Sequence, residues 1–456
     1  MFQSKSALFG CLAIIVVLLS LGQLGTAKRD YRGYSVIRGL PQTLSQLNHL
    51  NTLMVKSFNE SENEIQFWTA PTALNHTVDI LVSPERRALL EDELSSLKMP
   101  LEKWIEDVGQ AIRKTRQNHE AHPADNVSLK QSLAADQFYK QFQRYSAIEA
   151  KIRELERLDP RVSVEIIGQS TEKRNLYLVR VSNDLNARKP IVLIDGGHHA
   201  REWISHATVM YLLESLVNID VPRMPTRLCK NEACRAETVR NLARLDLNKF
   251  DYWFIPVVNP DGYEHSHVSD RLWRKTRSGS YCRGADPNRN YPFHWNESGS
   301  SSFQCSEIYS GTRPRSEPEV RAVVSVMDQY KDRIQMYLSF HCYSQLILAP
   351  YGYARVYPNN YNELAYVASA WLKSMNRLRG TDYQFGTSAI TLYPSSGGSD
   401  DYAHSIGIPL AYTIELPDKG NNGFITPPSE IIPIAHETLI GVQSMIDSLV
   451  YSTKPL

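Results

Sequence analysis

The spacing of apolar and polar residues divides the chain into two regions, the first covering about a third of it. In this first region, Val78, Ile80 and Val82 follow the two-residue period of a strand, and residues 43–54 and 85–97 have the spacing of amphipathic helices. This mixture predicts a small α+β unit. Further strands are expected at residues 34–37, 64–68 and 101–107.

From about residue 136 onwards, predicted strands and helices alternate. The short run Ile191–Ile194 contains only apolar residues, which is typical of a central strand buried on both faces. The alternation predicts an α/β domain with helices on both faces of a sheet and a site at the carboxyl ends of its strands. The strands are expected at residues 162–167, 176–181, 191–194, 254–258, 335–340 and 410–414, and the helices at residues 145–158, 203–217, 317–330, 362–378 and 429–450.

A basic, polar stretch at residues 112–123 connects the two regions. It contains Arg113, Lys114 and Arg116, after which a trypsin-like protease would cut. Exposed linkers are where domains part and where proteases cleave. We therefore expect cleavage between Arg113 and about Lys130, and a plain interdomain linker is the alternative interpretation.

The first 27 residues differ from the rest of the chain. Lys5 precedes an apolar run at residues 7–21, and the small residues Gly25 and Ala27 follow it. This pattern predicts a secretory signal peptide that is cut after Ala27. The alternative is a membrane anchor, but the run is shorter than the ~20 apolar residues of a spanning helix. No later stretch is long and apolar enough to span, so we expect a secreted, extracellular protein without stable membrane insertion.

Composition and charge limit the classes of function. The chain has 456 residues, 42% of them apolar and 22% charged, which fits a globular protein of two or more domains. Its formal net charge is +1, so it lacks the basic character of nucleic-acid-binding domains, and no nucleic acid partner is expected. Function must therefore come from a local site.

Export changes how the cysteines are interpreted, because extracellular proteins form disulfides. Five cysteines remain beyond the signal region, and this odd number predicts two disulfides and one free thiol. Four N-x-S/T sequons also fit an exported glycoprotein. The cysteines are Cys229, Cys234, Cys282, Cys305 and Cys342, and the sequons begin at Asn59, Asn75, Asn126 and Asn296.

A candidate metal site lies where predicted strands end. One strand leads into His199 and Glu202, which are three residues apart, and His341 follows a second strand. Zinc favours imidazole nitrogen and carboxylate oxygen, and a catalytic zinc site has three protein ligands and one open position. The H-x-x-E spacing alone is a weak signal because it occurs by chance, and His198 also lies near Glu202. The residues alone thus make zinc binding a hypothesis and leave the choice between the two neighbouring histidines open.

Several motifs in the second region resemble those of the A/B metallocarboxypeptidases. Residues 197–204 (GHHAREWI) are similar to the family's zinc motif, and residues 339–346 (SFHCYSQL) also match its pattern. The other motifs follow in the family's order, so the resemblance spans residues 136–456, and the amino-terminal region resembles the family's activation domain. These motifs are residues 271–277 (RLWRKTR), 286–290 (DPNRN), 392–401 (LYPSSGGSDD), 413–416 (TIEL) and 423–424 (GF).

This resemblance implies an α/β catalytic domain with a central mixed sheet flanked by helices, preceded by a small α+β activation domain. It divides the precursor into a signal peptide at residues 1–27, an activation domain with its connecting segment at 28–116, and a catalytic domain at 117–456. The protein would be a secreted, monomeric zinc exopeptidase zymogen. A trypsin-like protease would activate it, and it would then remove single residues from the C-termini of peptides or proteins.

The family pattern also assigns the metal site, with one Zn²⁺ per catalytic domain. It places the ligands at His199, Glu202 and His341, and makes His198 a neighbour. Asp286 corresponds to the acid that orients His199.

The same resemblance implies the catalytic and substrate-binding residues. Glu415 would be the general base, and Arg274 would stabilise the oxyanion. Arg289 with Asn288 would bind the free carboxylate of the substrate, and Tyr393 would cover the bound residue. Residues further along the peptide would contact Arg201, Tyr343 and Phe424.

Asp400 lies where B-type members of the family carry an acid and A-type members an apolar residue. We therefore expect release of C-terminal Lys or Arg. Ser388 and Gly352 match other pocket positions, but B-type members usually have Gly and Ser exchanged there. The alternatives are an A-type or broad preference for apolar or aromatic C-terminal residues, or a non-catalytic member that binds peptides.

The resemblance also bears on the cysteines. It implies that Cys282 and Cys305 form the family's shared disulfide. Cys229 and Cys234 are close enough in sequence to form a second one, which leaves Cys342 as a buried free thiol. Because Cys342 directly follows His341 in an extended segment, its side chain should point to the opposite face.

Overall fold

The computed structural model describes residues 28–57, 64–120, 135–217, 221–232, 234–235 and 245–451. The predicted signal peptide and the sequons at Asn59 and Asn126 lie outside these residues. The chain builds two sheets, one of four strands and one of eight, and each is the centre of a domain. Among the described helices, none is long and apolar enough to cross a membrane.

The small domain contains an antiparallel sheet in the order β2-β3-β1-β4, with two helices that contribute to its core. The predicted α+β unit is therefore present. Its strands are β1 (Ser35–Gly39), β2 (Ile65–Phe67), β3 (Val78–Val82) and β4 (Leu101–Ile105), and its helices are α1 (Leu44–Ser57) and α2 (Pro84–Ser96).

Strand β3 is buried along its whole length because both of its faces are covered. Val78, Ile80 and Val82 belong to the core of the small domain. Leu81 belongs instead to the main apolar core of the larger domain, and the Asp79 side chain is buried on that same face of the strand. One face of this short sheet therefore docks on the larger domain.

The segment expected to be a polar linker begins as a helix, α3 (Val108–Glu120). Val108 and Ile112 are four residues apart, so they share one face of α3, and both are buried in the main core. Arg113 and Lys114 are exposed on the helix. The sequence did not predict this helix, because two apolar residues among many charged and polar ones give only a weak helical spacing.

The larger domain contains a mixed eight-stranded sheet in the order β11-β10-β12-β9-β7-β8-β6-β5. The four central strands, β12, β9, β7 and β8, are parallel to one another. This confirms the predicted α/β class with a mixed sheet. The strands are β5 (Val162–Gln169), β6 (Asn175–Val181), β7 (Ile191–Gly196), β8 (Asp251–Ile255), β9 (Ile334–Cys342), β10 (Leu346–Ala349), β11 (Gln384–Thr387) and β12 (Leu410–Leu416).

Helices cover both faces of this sheet, as predicted. Side chains of β7 alternate between two apolar clusters: Val192 and Ile194 belong to one, and Ile191 and Leu193 to the other. This explains why the run Ile191–Ile194 within β7 is apolar at every position. The helices are α4 (Ala135–Phe138), α5 (Tyr145–Leu158), α6 (Trp203–Val217), α7 (Pro260–Val268), α8 (Pro318–Tyr330), α9 (Tyr361–Leu378), α10 (Ser388–Thr391), α11 (Ser399–Ser405) and α12 (Ile431–Tyr451).

Several strand boundaries differ from the predicted ones. Strand β8 ends at Ile255, three residues before the predicted end at 258, because Pro256 has no N–H to continue the ladder. Strand β9 extends to Cys342 and β12 to Leu416, so His341 and Glu415 lie within strands. The four-residue strands β10 and β11 are too short to give a recognisable period, and they were not predicted.

Glu319, in the first turn of α8, is fully buried. One carboxylate oxygen accepts a hydrogen bond from the backbone N–H of Thr171 at 3.2 Å, and among the described residues the other oxygen has no hydrogen-bond partner. Burial, with the nearby Glu317 and Asp261 carboxylates, raises the pKa of Glu319 from 4.5 to about 8. Folding therefore favours its neutral form.

Glu319→Gln is expected to make the folded state less sensitive to alkaline pH. Because the folded pKa is raised, the stability contributed by protonated Glu319 is complete below about 4.5 and is lost as pH rises to about 8. The amide stays neutral, so the Tm of the variant minus that of the wild type should increase by about 3 °C or more between about pH 5 and about pH 9. Glu363→Gln, at an exposed first-turn glutamate of α9, is the control and should show a flat difference. Parallel curves for Glu319→Gln and the wild type would contradict the prediction.

Candidate metal centre and active site

A tight turn after β7 presents two potential metal ligands. Gly197 follows the strand with a φ of 72°, and a Cβ atom there would lie 2.3 Å from Nε2 of His206. Glycine alone meets both constraints. The chain then passes through His199 to Glu202, whose backbone N–H donates to the carbonyl of His199 at 3.2 Å just before α6 begins.

Three buried side chains converge at the ends of β7 and β9. Nδ1 of His199 lies 2.7 Å from Oε1 of Glu202. Nδ1 of His341 lies 3.1 Å from Oε2 of Glu202 and 3.2 Å from Nδ1 of His199. The candidate ligand atoms all lie within 4.8 Å of one another, which fits the two imidazoles and one carboxylate of a catalytic zinc site. Burial opposes ionisation of Glu202, but the two imidazoles hold its pKa well below its usual range.

The neighbouring histidine, His198, points away from this group. Its Nε2 lies 2.8 Å from the hydroxyl of Tyr291, and its ring stacks on that of His341 with 5.3 Å between centroids. The structure therefore brings His199, and not His198, together with Glu202 and His341.

Asp286 lies where the family pattern expects it, against the outer nitrogen of His199. Oδ1 accepts from Nε2 of His199 at 3.1 Å, and Oδ2 accepts from Nε and Nη2 of Arg274 at 3.0 and 2.8 Å. Burial opposes the charge, but Arg274 and His199 hold the pKa of Asp286 well below its usual range. Because Nε2 of His199 donates to Asp286, the lone pair of Nδ1 is left for a metal ion.

Glu415 and Arg274 reach the same group. Glu415 on β12 is directly opposite His341 on β9 in the parallel register. Its side chain is half-buried, and loss of solvation raises its pKa to about 8 against the opposing effect of His341. Arg274 is buried with Nη1 3.9 Å from Oε1 of Glu202. The predicted base and the predicted oxyanion-binding group are thus both beside the ligand cluster.

The residues predicted to bind the substrate carboxylate are also neighbours. Nε of Arg289 donates to the carbonyl of Gly299 and Nη1 to the carbonyl of Asn288, both at 2.8 Å. The side-chain oxygen of Asn288 accepts from the N–H of Ser399 at 2.9 Å. The guanidinium carbon of Arg289 lies 5.9 Å from the centre of the Tyr393 ring.

The predicted pocket for the departing side chain contains two buried acids with different partners. Asp400 is 5% exposed and accepts a hydrogen bond from the hydroxyl of Ser388 at 3.2 Å. No ion pair to Asp400 occurs among the described residues, and burial raises its pKa. The carboxylate of Asp401 instead accepts from the backbone N–H groups of Gly352 and Tyr353, at 2.8 to 3.0 Å.

The small domain covers the outer part of this site. Trp68 lies 5.2 Å from Phe424 and 6.5 Å from Tyr343 between ring centres, and Phe424 and Tyr343 are 5.0 Å apart. The Tyr343 hydroxyl donates to Asp79 at 2.9 Å, and Asp79 pairs with Arg38 at 2.6 Å. Two predicted substrate-binding residues are thus in contact with the small domain.

A second contact lies next to Arg201. Nη1 of Arg201 is 3.7 Å from Glu307, which accepts a hydrogen bond from the side chain of Gln66 at 2.7 Å. The guanidinium of Arg201 lies 4.1 Å from the centre of the Phe424 ring. A cavity of about 750 Å³ remains between the domains, and Arg201, Arg274, Arg289 and Tyr393 are among the residues that line it.

Sequence reasoning did not identify the small-domain residues at this site, namely Gln66, Trp68 and Asp79. The signal for Asp79 was present, since it is the one charged residue in the otherwise apolar run 78–82. Glu307 was also missed, because no spacing in the sequence connects it to Arg201.

Both expected disulfides are formed, Cys282–Cys305 and Cys229–Cys234. Cys342 is a buried free cysteine, as expected. Its thiol is not part of the ligand group, whereas its backbone N–H lies 3.3 Å from Oε2 of Glu202.

Comparison with known proteins gives a consistent result. Residues 148–441 match the model of the zinc carboxypeptidase family, and residues 37–115 match that of the carboxypeptidase activation peptide. Carboxypeptidase B of Astacus astacus is 42% identical over 286 residues, which cover 62% of this chain and 88% of that protein. Zinc carboxypeptidase A 1 of Anopheles gambiae is 32% identical over 96% of this chain and 94% of that protein. The crystal structure of thrombin activatable fibrinolysis inhibitor is 32% identical, with a TM-score of 0.77, and the match covers 93% of this chain and all of that one.

The two matches correspond to the two domains of the structure. The activation-peptide match lies on the small domain, and the zinc carboxypeptidase match includes all three converging side chains. The relatives have both A-type and B-type names, so they define the reaction but not the residue that is released. The chain belongs to the zinc carboxypeptidase family, and it is a metallocarboxypeptidase zymogen in which an activation peptide precedes the catalytic domain.

Proposed function

We propose that the protein is an exported zymogen that, once cleaved, releases C-terminal Lys or Arg from peptides and proteins. The observation that carries this proposal is Asp400, a buried carboxylate that forms no ion pair with a described residue. An unpaired buried charge is costly, and a Lys or Arg side chain of a substrate would offset that cost. Ser388 and Gly352 are small, which leaves room for a long side chain.

The substrate would be held by its free carboxylate. Arg289 presents a planar guanidinium that suits two parallel hydrogen bonds to a carboxylate, and Asn288 would add a third. Tyr393, beside Arg289, would cover the bound residue. This assignment explains why the enzyme would act at chain ends, since an internal peptide bond offers no charge to Arg289.

The catalytic roles follow from the position of each group. His199, Glu202 and His341 would hold zinc, which supplies a water molecule of lowered pKa and polarises the scissile carbonyl. Glu415 would take the proton of that water and pass it to the leaving amine. The carboxylate form of Glu415, which burial disfavours, is favoured by any cation held beside it. Arg274 would donate to the oxygen on which negative charge develops.

The activation domain would inhibit the enzyme by occupying the outer part of the site. Trp68 packs on Tyr343 and Phe424, and Asp79 holds the Tyr343 hydroxyl, so a long peptide could not use these side chains. Cleavage between Arg113 and about Lys130 by a trypsin-like protease would cut the covalent connection between the domains and allow the activation domain to leave. Residues 1–27 as signal peptide, 28–116 as activation domain and 117–456 as a monomeric, secreted enzyme complete the proposal.

His199→Ala is expected to lower the zinc content of the purified protein, because it removes one of three converging donors. His198→Ala is the matched control, since His198 bonds to Tyr291, and it should keep close to one zinc per chain. Atomic absorption of both variants checks this. Zinc loss in His198→Ala together with full zinc in His199→Ala would show that the ligand assignment is wrong.

Glu415→Gln is expected to reduce kcat by roughly 10²–10⁴-fold, the range for loss of a general base, while zinc content stays the same. The amide is nearly isosteric but cannot accept the proton. The measurement is kcat of the trypsin-treated variant beside its zinc content. Near-normal turnover would remove Glu415 from the proposed mechanism.

Trypsin treatment should raise kcat/KM, and the treated enzyme should prefer a peptide ending in Arg over a matched peptide ending in Phe. In Asp400→Ile the preference should reverse, because an apolar pocket no longer offsets a buried cation. The Arg-to-Phe ratio of kcat/KM in both proteins is the measurement. Preference for Phe in the wild type would agree with carboxypeptidase activity but would exclude specificity for basic C-terminal residues. Zinc binding without turnover on either peptide would favour the non-catalytic alternative.

A further inference from the structure

The outer ring nitrogens of the two histidines in the ligand group have different hydrogen-bond partners. The outer nitrogen of His199 bonds directly to the Asp286 carboxylate. The outer nitrogen of His341, Nε2, lies 3.2 Å from the hydroxyl oxygen of Ser339 instead. Nothing in the proposed mechanism uses this serine, yet it is fully buried and contacts a ligand side chain.

The sheet determines this contact. Ser339 and His341 are two residues apart on β9, so their side chains lie on the same face of the strand. Asp195 on the parallel strand β7 is in register with Ser339, and its Oδ1 accepts a hydrogen bond from the Ser339 hydroxyl at 2.7 Å. The other carboxylate oxygen of Asp195 accepts from the Tyr337 hydroxyl at 2.6 Å. All four side chains are buried, so water cannot replace these partners.

The direction of each hydrogen bond follows from the number of hydrogens available. A hydroxyl has one hydrogen to donate and two lone pairs. Ser339 uses its hydrogen for Asp195, so towards His341 its oxygen can only accept. Nε2 of His341 must then carry the ring hydrogen, and Nδ1 keeps the lone pair that faces His199 and Glu202.

His198 completes the surroundings of the ring. Its Nδ1 is 3.5 Å from the Ser339 oxygen and can donate its hydrogen to the second lone pair of that oxygen. Its Nε2 can then accept a hydrogen bond from the Tyr291 hydroxyl at 2.8 Å. The His198 ring stacks on that of His341 with an angle of 24° between planes. His198 thus limits the tilt of the His341 ring, and Ser339 limits its rotation.

We propose that Ser339, held by Asp195, is a positioning residue that fixes the tautomer and the orientation of His341 for metal binding. This inference rests on the proposed role of His341 as a metal ligand. Partners that orient a metal-binding histidine commonly raise metal affinity by roughly 10- to 100-fold. The effect should appear in the metal site itself, before any substrate is present.

The test uses the full-length zymogen and measures zinc affinity by competition with a chelator such as dipicolinate. Ser339→Ala is expected to weaken zinc binding about tenfold or more. Ser374→Ala is the control, because it removes a buried hydroxyl whose hydrogen bond within the described part of the chain is to a carbonyl of its own helix, and it should stay within about twofold of the wild type. The visible absorption of the cobalt(II)-substituted protein should change in Ser339→Ala and not in Ser374→Ala, since the spectrum reports ligand geometry.

Asp195→Asn provides a second route if Ser339→Ala does not fold, as judged by circular dichroism. The amide replaces one of the two acceptor oxygens with an NH₂ group, so Ser339 and Tyr337 can no longer each donate to an oxygen of their own, and zinc affinity should again fall. His341→Ala distinguishes the proposed role of His341 as a metal ligand from the proposed role of Ser339 as its positioning residue. Full zinc binding in His341→Ala would overturn the proposed ligand set. Loss of zinc in His341→Ala, with wild-type affinity and cobalt spectrum in the folded Ser339→Ala or Asp195→Asn variants, would overturn the positioning role alone.

Discussion

The structure depends on holding two imidazoles and one carboxylate together in the protein interior, with 2.7 to 3.2 Å between neighbouring atoms. Polar groups can be buried in this way only if each has a partner, so the arrangement requires further polar groups behind it. Asp286, between His199 and Arg274, is one such group. The order of the central strands makes the arrangement possible, because β7, β9 and β12 are adjacent and parallel and so end at the same edge.

The two neighbouring acids of the pocket show how sequence context alone leaves function ambiguous. Asp401 accepts hydrogen bonds from backbone N–H groups of the segment that contains Gly352, so its carboxylate oxygens have partners within the protein. The Asp400 side chain accepts a hydrogen bond from the Ser388 hydroxyl and forms no ion pair with a described residue. We therefore propose Asp400, which has no ion pair among the described residues, as the group that selects a charged substrate end.

Much of the fold was predictable because Tyr145–Leu158 has the spacing of an amphipathic helix, and the short, fully apolar run Ile191–Ile194 is typical of a buried central strand. The metal-binding trio was predicted by resemblance, and from residue types alone it remained a hypothesis in which His198 and His199 were equivalent. Their difference arises from the turn at Gly197, which directs one ring to Tyr291 and the other to Glu202. Strand pairing and domain docking involve residues distant in sequence, so the short strands β10 and β11 had no local signal, and the lone charge of Asp79 did not indicate its partner Tyr343.

The contacts between the activation domain and the enzyme have a further consequence. Cutting the connecting chain breaks none of them, since the hydrogen bond between Tyr343 and Asp79 and the packing of Trp68 on Phe424 are not covalent. While the chain is intact, the activation domain is present at an effective concentration on the order of millimolar, and after cleavage only at its bulk concentration. Release is therefore a matter of dilution as well as of proteolysis. A cleaved but concentrated sample would retain its own inhibitor, and the same molecules would lose it on dispersal into a large volume.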